Sequence, residues 1–286
     1  MRATIWGCRG SIATPGPATL RYGGNTSCVE VRSAAGDVLI LDAGTGLRPL
    51  GVELMRDLPA RIDVLLTHLH VDHLEGLGFF APLWASDVEL HIWGPRSTVR
   101  PLSHRIEHYF SPPLFPVGLG EGTARLEFHD APEGEWMIGG VRVTSQPILH
   151  PGATVGYRLE EQGRSLAYVT DHEPALASDL ATTPFGWVSG AALAFGADVL
   201  IHDAQYTAEE YGTKVGWGHS SVDQVVTFAT RAKADQLLLF HHDPSHDDDA
   251  MDAIVAHARE TAGGALGRCA AATEGVTLDI GPSSWR

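Results

Sequence analysis

Thr67-His68-Leu69-His70-Val71-Asp72-His73 closes the mostly apolar run Ile62 to Leu66, and its reading decides the rest of the chain. Three imidazoles and one carboxylate lie within six residues. Histidine is tolerated singly in cores and aspartate is almost never buried unpaired, so packing does not explain the cluster. A solvated, His-rich surface loop is the plain alternative, but the spacing argues for ligands delivered by a strand into a turn. His68 and His70 stand two apart, and in extended backbone they point to the same face. Asp72 and His73 then fall in the following turn, from which they reach around to a second ion.

Outward from this stretch, short apolar runs alternate with turn residues. Strands are expected at 3–7, 27–32, 37–42, 62–67, 88–93, 125–129, 141–149, 154–160, 164–170, 198–202, 236–240 and 276–280. Continuously apolar runs such as Val38 to Leu41 imply strands covered on both faces. Gln162-Gly163, between two alternating runs, reads as a hairpin turn. Ser220 or Ser221 can cap a helix over 221–233, with Val222, Val225, Val226 and Ala229 on one face. A second helix follows Asp247-Asp248-Asp249, whose carboxylates suit the positive end of its dipole. Further helices are expected over 76–85 and 97–109. Strands and helices interleave in both halves without a linker, which fits an α/β four-layer sandwich, sheets inside and helices outside, built as a single domain over 1–286. The Pro-rich segment 110–117 is either a rigid connector or an apolar wall beside the site.

Composition narrows the function classes. With 286 residues, 44% of them hydrophobic, the chain can bury a sizeable core. No stretch approaches a membrane span, and the first residues lack the apolar core of a signal peptide, so a cytoplasmic location is expected. Three cysteines, Cys8, Cys28 and Cys269, make neither a disulfide framework nor a zinc ribbon. A net charge of −15 argues against a broad nucleic-acid-binding face. A small phosphate ester is still admissible where metal ions supply the positive charge.

Other ligand-type residues stand at strand ends. His150 follows the run from Val141, Asp171 follows Ser165 to Thr170, and His241 follows Leu237 to Phe240. With His68, His70, Asp72 and His73 they make a set of seven, the number that two hydrolytic ions sharing one carboxylate would use.

On these residues the chain resembles the metallo-β-lactamase superfamily. Residues 68–73 match its HxHxDH hallmark, and Asp42-Ala43-Gly44 resembles the DxG element that supports the metal loop. Gly218-His219-Ser220-Ser221, a helix, and Leu238-Leu239-Phe240-His241 resemble the phosphodiesterase branch that includes ribonuclease Z. The 22-residue step from His219 to His241 fits that branch and selects His241 over His242. The run 197–204, with Asp203, is similar to its acidic motif, and Tyr168 to Pro174 to its GDTxP motif, with departures. The resemblance implies the αββα metallo-β-lactamase fold. It implies that His68, His70 and His150 hold one ion, that Asp72, His73 and His241 hold the second, and that Asp171 bridges. Imidazole and carboxylate without thiolate suit two divalent ions, Zn²⁺ first, with Mn²⁺ or Fe²⁺ as alternatives.

The expected reaction is hydrolysis of a phosphodiester by a hydroxide bridging the ions, with Asp72 orienting the nucleophile. His219 is the candidate proton donor to the leaving oxygen, and Asp203 its orienting partner. His172 and His242, beside ligands, are read as supporting or substrate-side groups, and Asp243 as an anchor for a ligand histidine. Tyr157, Ser221, Asn25 and Arg9 are candidate substrate contacts, with core packing as the plain alternative for Tyr157 and helix capping for Ser221. Ribonuclease Z enzymes grip tRNA with a long arm between the third His motif and the bridging Asp. Here 20 residues separate His150 from Asp171, and the chain has two lysines. The expected partner is therefore a small phosphodiester such as a cyclic nucleotide, with no large nucleic-acid surface and no membrane; a homo-oligomer is left open. The alternatives are a lactone, thioester or lactam hydrolase of the same fold, a ribonuclease Z-type RNA endonuclease, and a non-catalytic sensing module.

Overall fold

The computed structural model describes residues 1–177 and 179–280. Its first sheet is built from β1 (Arg2–Gly7), β2 (Cys28–Arg32), β3 (Val38–Leu41), β4 (Arg61–Leu65), β5 (Glu89–Gly94) and β6 (Arg125–Asp130). The second comprises β7 (Gly134–Ile138), β8 (Val141–Pro147), β9 (Val155–Glu161), β10 (Arg164–Val169), β11 (Val199–Asp203), β12 (Gln236–Phe240) and β13 (Arg268–Ala271). The last strand, β14 (Thr277–Asp279), returns to the first sheet beside β1. Each sheet is antiparallel on one side and parallel on the other, where β3–β6 and β10–β13 run.

Alternation along the strands feeds separate cores. In β3, Leu39 and Leu41 face the second sheet, whereas Val38 and Ile40 face outward under helices. In β12, Leu238 and Phe240 face inward, and Leu237 and Leu239 outward. This is why these runs are apolar at every position. The outer face of the first sheet is covered by α1 (Leu47–Leu54) and α2 (Leu102–Tyr109). The second is covered by α3 (Ala191–Ala194), α5 (Val222–Ala232) and α6 (Asp248–Ala262), while α4 (Ala208–Tyr211) is a single turn. The result is the expected four-layer α/β sandwich.

The expected caps are in place. Ser221 Oγ accepts from the Gln224 N–H at 3.4 Å and Gln224 Oε1 from the Ser221 N–H at 2.9 Å; Asp247 Oδ1 accepts from the Ala250 N–H at 2.8 Å. Ser221 is thus a cap and not a substrate contact. The expected helix over 76–85 is instead two 3₁₀ turns, Leu77–Phe79 and Ala81–Trp84. Gly76, Gly78 and Pro82 deny it continuous α geometry. The helix expected from 97 begins at Leu102, because Pro101 sits at its N-cap in extended backbone. Five elements escaped the sequence reading: α1, the single turns α3 and α4, and strands β7 and β13. Helix α1 contains Pro49 and Gly51, β7 is a short Gly-Glu-Trp-Met-Ile run closed off by Gly139-Gly140, and β13 is mostly small residues held by pairing to β12.

Among the described residues no helix is long and apolar enough to cross a membrane. Phe228, fully buried in α5, seals the outer core of the second sheet. Phe228→Ala should cost about 3–5 kcal/mol in chemical denaturation. Val52→Ala, on the open face of α1 where Val52 is 55% exposed, should change stability by less than about 0.5 kcal/mol.

Candidate metal centre

The centre lies where chain ends of both sheets meet. The loop after β4 carries His68 to His73, the segment after β8 carries His150, and Asp171 and His241 follow β10 and β12. Asp42, Asp171 and His241 all adopt positive φ (60°, 52° and 60°). Such conformations cost non-glycine residues about 1–3 kcal/mol and persist where surrounding contacts over-determine them.

Those contacts are visible for four of the five rings. Asp42 is fully buried; its Oδ1 accepts from the Thr67 N–H at 2.7 Å and its Oδ2 pairs with His73 Nδ1 at 2.8 Å. The Tyr168 hydroxyl donates to the same Oδ2 at 3.0 Å. His68 Nδ1 pairs with Thr67 Oγ1 at 3.0 Å, His150 Nδ1 donates to the Gly218 carbonyl at 2.8 Å, and His241 Nδ1 donates to Gln205 Oε1 at 3.1 Å. With Nδ1 fixed, the Nε2 of each of these four rings points inward, where it can serve a cation. Two glycines allow this packing. A Cβ on Gly10 would lie 2.4 Å from His241 Nδ1, and one on Gly218 would lie 2.2 Å from His150 Nδ1.

The free nitrogens converge on Asp171. Its Oδ1 lies 3.2 Å from His73 Nε2 and 3.4 Å from His241 Nε2. Its Oδ2 lies 3.6 Å from His68 Nε2 and 3.8 Å from His150 Nε2. Asp72 Oδ2 sits 3.3 Å from His241 Nε2 and is held by the Ser11 N–H at 2.8 Å. Two donor groups result, His68/His70/His150/Asp171 and Asp72/His73/Asp171/His241, each compact enough to share one ion. All seven residues expected as ligands are therefore brought together.

The electrostatics fit cations. Burial, reinforced by neighbouring histidines, holds the His68 pKa well below its ordinary value, and burial also lowers His70 and His150, so these rings are neutral, the state in which imidazole can take a cation. Burial alone would protonate Asp72 and Asp171. The His73 and His241 charges outweigh it and hold both carboxyls well below the usual range. His73 runs the other way: burial opposes its charge, but Asp171, Asp72 and Asp42 raise its pKa. A proton there stands in for missing positive charge. Buried His68 Nε2 and His73 Nε2 have no hydrogen-bond partner, a costly arrangement that a divalent cation relieves.

Beside the second group, His219 Nδ1 pairs with Asp203 Oδ2 at 2.6 Å, and the His219 ring stacks on His241 at 4.8 Å. Burial disfavours the imidazolium, but the Asp203 charge and hydrogen bond raise its pKa to about 9 in the absence of cations. Asp203 is itself fully buried and accepts from the backbone N–H groups of Gln205 and His172.

Several expectations are corrected. The His172 ring is fully buried between His202 and Ser189, and His242 donates to the Ala272 carbonyl at 2.9 Å; neither faces substrate. Tyr157 is buried between the sheets, its hydroxyl on the Leu66 carbonyl. Arg9 is buried and bonded to the carbonyls of Gly23, Asp243 and His246, so it ties loops together. Asp243 reaches His241 only through Gln205, whose Nε2 donates to it at 3.1 Å. Asn25 bonds Glu274 and, with Arg48, Glu75 and Tyr109, lines a cavity of about 520 Å³ whose wall includes Leu114 and Phe115 of the Pro-rich segment. Gln205, Tyr168 and buried Glu173 were missed. Glu173 accepts from the Gly216 and Gly218 N–H groups and so fixes the loop entering His219.

The family model described as "Beta-lactamase superfamily domain" matches residues 38–242, a span that includes every donor above. The chain belongs to this superfamily. A protein named Ribonuclease Z from Thermococcus gammatolerans is 28% identical over 251 residues, covering 72% of this chain and 75% of its own. One of the same name from Mycobacterium sp. (strain KMS) is 29% identical over 255 residues, covering 80% and 78%. Among solved structures, the metallo-beta-lactamase fold protein YhfI from Bacillus subtilis superposes with TM-score 0.68 at 20% identity, over 97% of this chain and 98% of that one. A diphosphatase of the PhnP family superposes with TM-score 0.66 at 20% identity, over 98% of both chains. The fold is the metallo-β-lactamase fold, and this superfamily member is a metal-dependent hydrolase.

Because Asp42 fixes both Thr67 and His73, Asp42→Asn should weaken zinc binding by about 10–100-fold. Gln205→Ala, which frees only His241 Nδ1, should cost less. Competition titration of the metal-free protein against a chromophoric chelator, with circular dichroism to confirm folding, checks both.

Proposed function

We propose that this hydrolase is a dinuclear phosphodiesterase acting on a small diester such as a cyclic nucleotide, with Zn²⁺ as its first-choice cation. The observation that carries the proposal is the His219–Asp203 pair, held at 2.6 Å and stacked against a donor of the second group. His68, His70, His150 and one Asp171 oxygen would hold one ion, and Asp72, His73, His241 and the other oxygen the second. When bound, such ions polarise phosphoryl oxygens and acidify water.

The chain's own groups supply the rest. Asp72, pinned by the Ser11 N–H, orients the nucleophile from one side of the site. His219, its Nδ1 tied to Asp203, carries its transferable proton on Nε2 and gives it to the departing alkoxide. Asp203 keeps the ring in that tautomer and charged. An acid of this kind serves a poor alkoxide leaving group, which favours a phosphodiester over an activated lactam.

A second reading, endonucleolytic RNA processing, has the relatives named ribonuclease Z in its favour. Against it, the 20 residues between His150 and Asp171 are occupied by the β9–β10 hairpin turning at Gln162-Gly163, with no protruding arm. The net charge of −15 also gives little purchase on a polyanion.

Zinc-reconstituted protein assayed on bis(p-nitrophenyl) phosphate, cyclic nucleotides, precursor tRNA, a lactone and nitrocefin should turn over small diesters and leave the lactone and nitrocefin intact. Lactone turnover without diester turnover overturns the proposal, and efficient tRNA cleavage selects the second reading. His219→Ala should lower kcat by about 10²–10⁴ on alkoxide-leaving diesters and far less on p-nitrophenyl diesters, with metal content unchanged. Equal losses on both substrates would remove His219 as the proton donor.

A further inference from the structure

A third group of donors lies away from this centre and shares no residue with it. On the edge of the first sheet, β5 and β6 pair in parallel with His91 opposite Glu127 and Trp93 opposite His129. His91 is buried, and Glu127 and His129 are half-buried. His91 Nδ1 lies 2.9 Å from His129 Nε2. Glu127 Oε2 lies 3.7 Å from the first nitrogen and 3.9 Å from the second. The rings are not loose. Trp93 stacks on His129 at 4.2 Å, and its Nε1 donates to Asp63 at 2.9 Å.

Proton bookkeeping leaves one ring nitrogen or the Glu127 carboxylate unused. Two neutral imidazoles share one proton along the 2.9 Å contact. If His91 Nδ1 donates, its buried Nε2 is a bare lone pair, without a hydrogen-bond partner, 3.7 Å from the Glu89 carboxylate. If His129 Nε2 donates instead, His91 Nδ1 accepts that proton, and the Glu127 carboxylate 3.7 Å away receives none from either ring. A divalent cation among the three donors engages all of them at once. It takes two lone pairs and one carboxylate oxygen, and it turns the His91 Nε2–H toward Glu89, the carboxylate–histidine–metal pattern of many zinc sites. Burial, and then His91, lower the His129 pKa, which keeps its ring neutral. Arg125, paired to Glu89 and 3.5 Å from Glu127, lies at the rim with Arg61, which pairs to Asp63.

We infer that His91, His129 and Glu127 form a separate cation site, suited to a borderline ion such as Zn²⁺, that clamps the β5–β6 edge and takes no part in hydrolysis. Two imidazoles and one carboxylate are a donor set that zinc accepts with water completing the shell. The half-exposed Glu127 and His129 leave room for that water.

The test is zinc stoichiometry by chelator competition on metal-free protein. The wild type should bind one equivalent more than His129→Ala, and Asp171→Asn should retain that extra equivalent. His129→Ala should keep its diester turnover within twofold of wild type. Equal stoichiometry in wild type and His129→Ala overturns the inference. Should that variant fail to fold, anomalous scattering at the zinc edge from wild-type crystals decides it: a peak bounded by His91 Nδ1, His129 Nε2 and Glu127 supports the site, and its absence overturns it.

Discussion

The Asp42 carboxylate is the constraint on which the rest of the centre depends. It stands at the end of β3 with positive φ, and it accepts hydrogen bonds from the Thr67 backbone, the Thr67 hydroxyl and Tyr168 while pairing with His73. An ionised group buried this completely survives only when its oxygens are saturated with donors. Saturation here also does geometric work. Thr67 is the residue from which the ligand loop departs, His73 is the residue at which it ends, and Tyr168 belongs to the opposite sheet. One side chain thus sets the start, the end and the height of the loop above the second sheet.

The same economy governs the protons. Four rings have their Nδ1 committed to a neighbour, so four Nε2 atoms are left to face Asp171. Neutral imidazoles on one side and deeply acidic carboxylates on the other are the two protonation states that a cation requires, and the protein reaches both by burial and mutual charge. Without cations the charge balance is poor: His73 is driven to hold a proton that a cation at Nε2 would displace.

Most of the fold and the donor set could be read from the sequence because the signals were of rare type in rigid places. Histidines and aspartates at the ends of apolar strands have few structural uses, and strand alternation told which runs were covered on both faces. Their supports were not readable. Gln205 and Glu173 are ordinary residues whose roles arise from where other segments place His241 and Gly218. His172 and His242 were left between supporting and substrate-side roles, because adjacency to a ligand does not tell which way a ring turns. The ring of His172 packs toward Phe228 in the outer core, and that of His242 toward Ala272. For Tyr157 the core-packing alternative holds, since its inward position in β9 buries it between the sheets. Helix α1 and strand β13 were lost because tertiary packing overrode weak local propensity.

The distribution of donors between the sheets has a consequence for stability. The first group takes His68 and His70 from the loop after β4 and His150 and Asp171 from the second sheet; the second group takes Asp72 and His73 from that loop and Asp171 and His241 from the second sheet. Each group therefore draws two side chains from each half of the sandwich. An ion bound to either one ties the sheets together across the end of the core formed by Leu41, Leu65, Tyr168 and Phe240. Binding energy at such a seam is folding energy, because the unfolded chain does not assemble the donors. The seam is also where three residues hold strained positive φ. The strain and the crowded carboxylates are costs of forming the centre, and cation binding across the two sheets is the interaction placed to offset them.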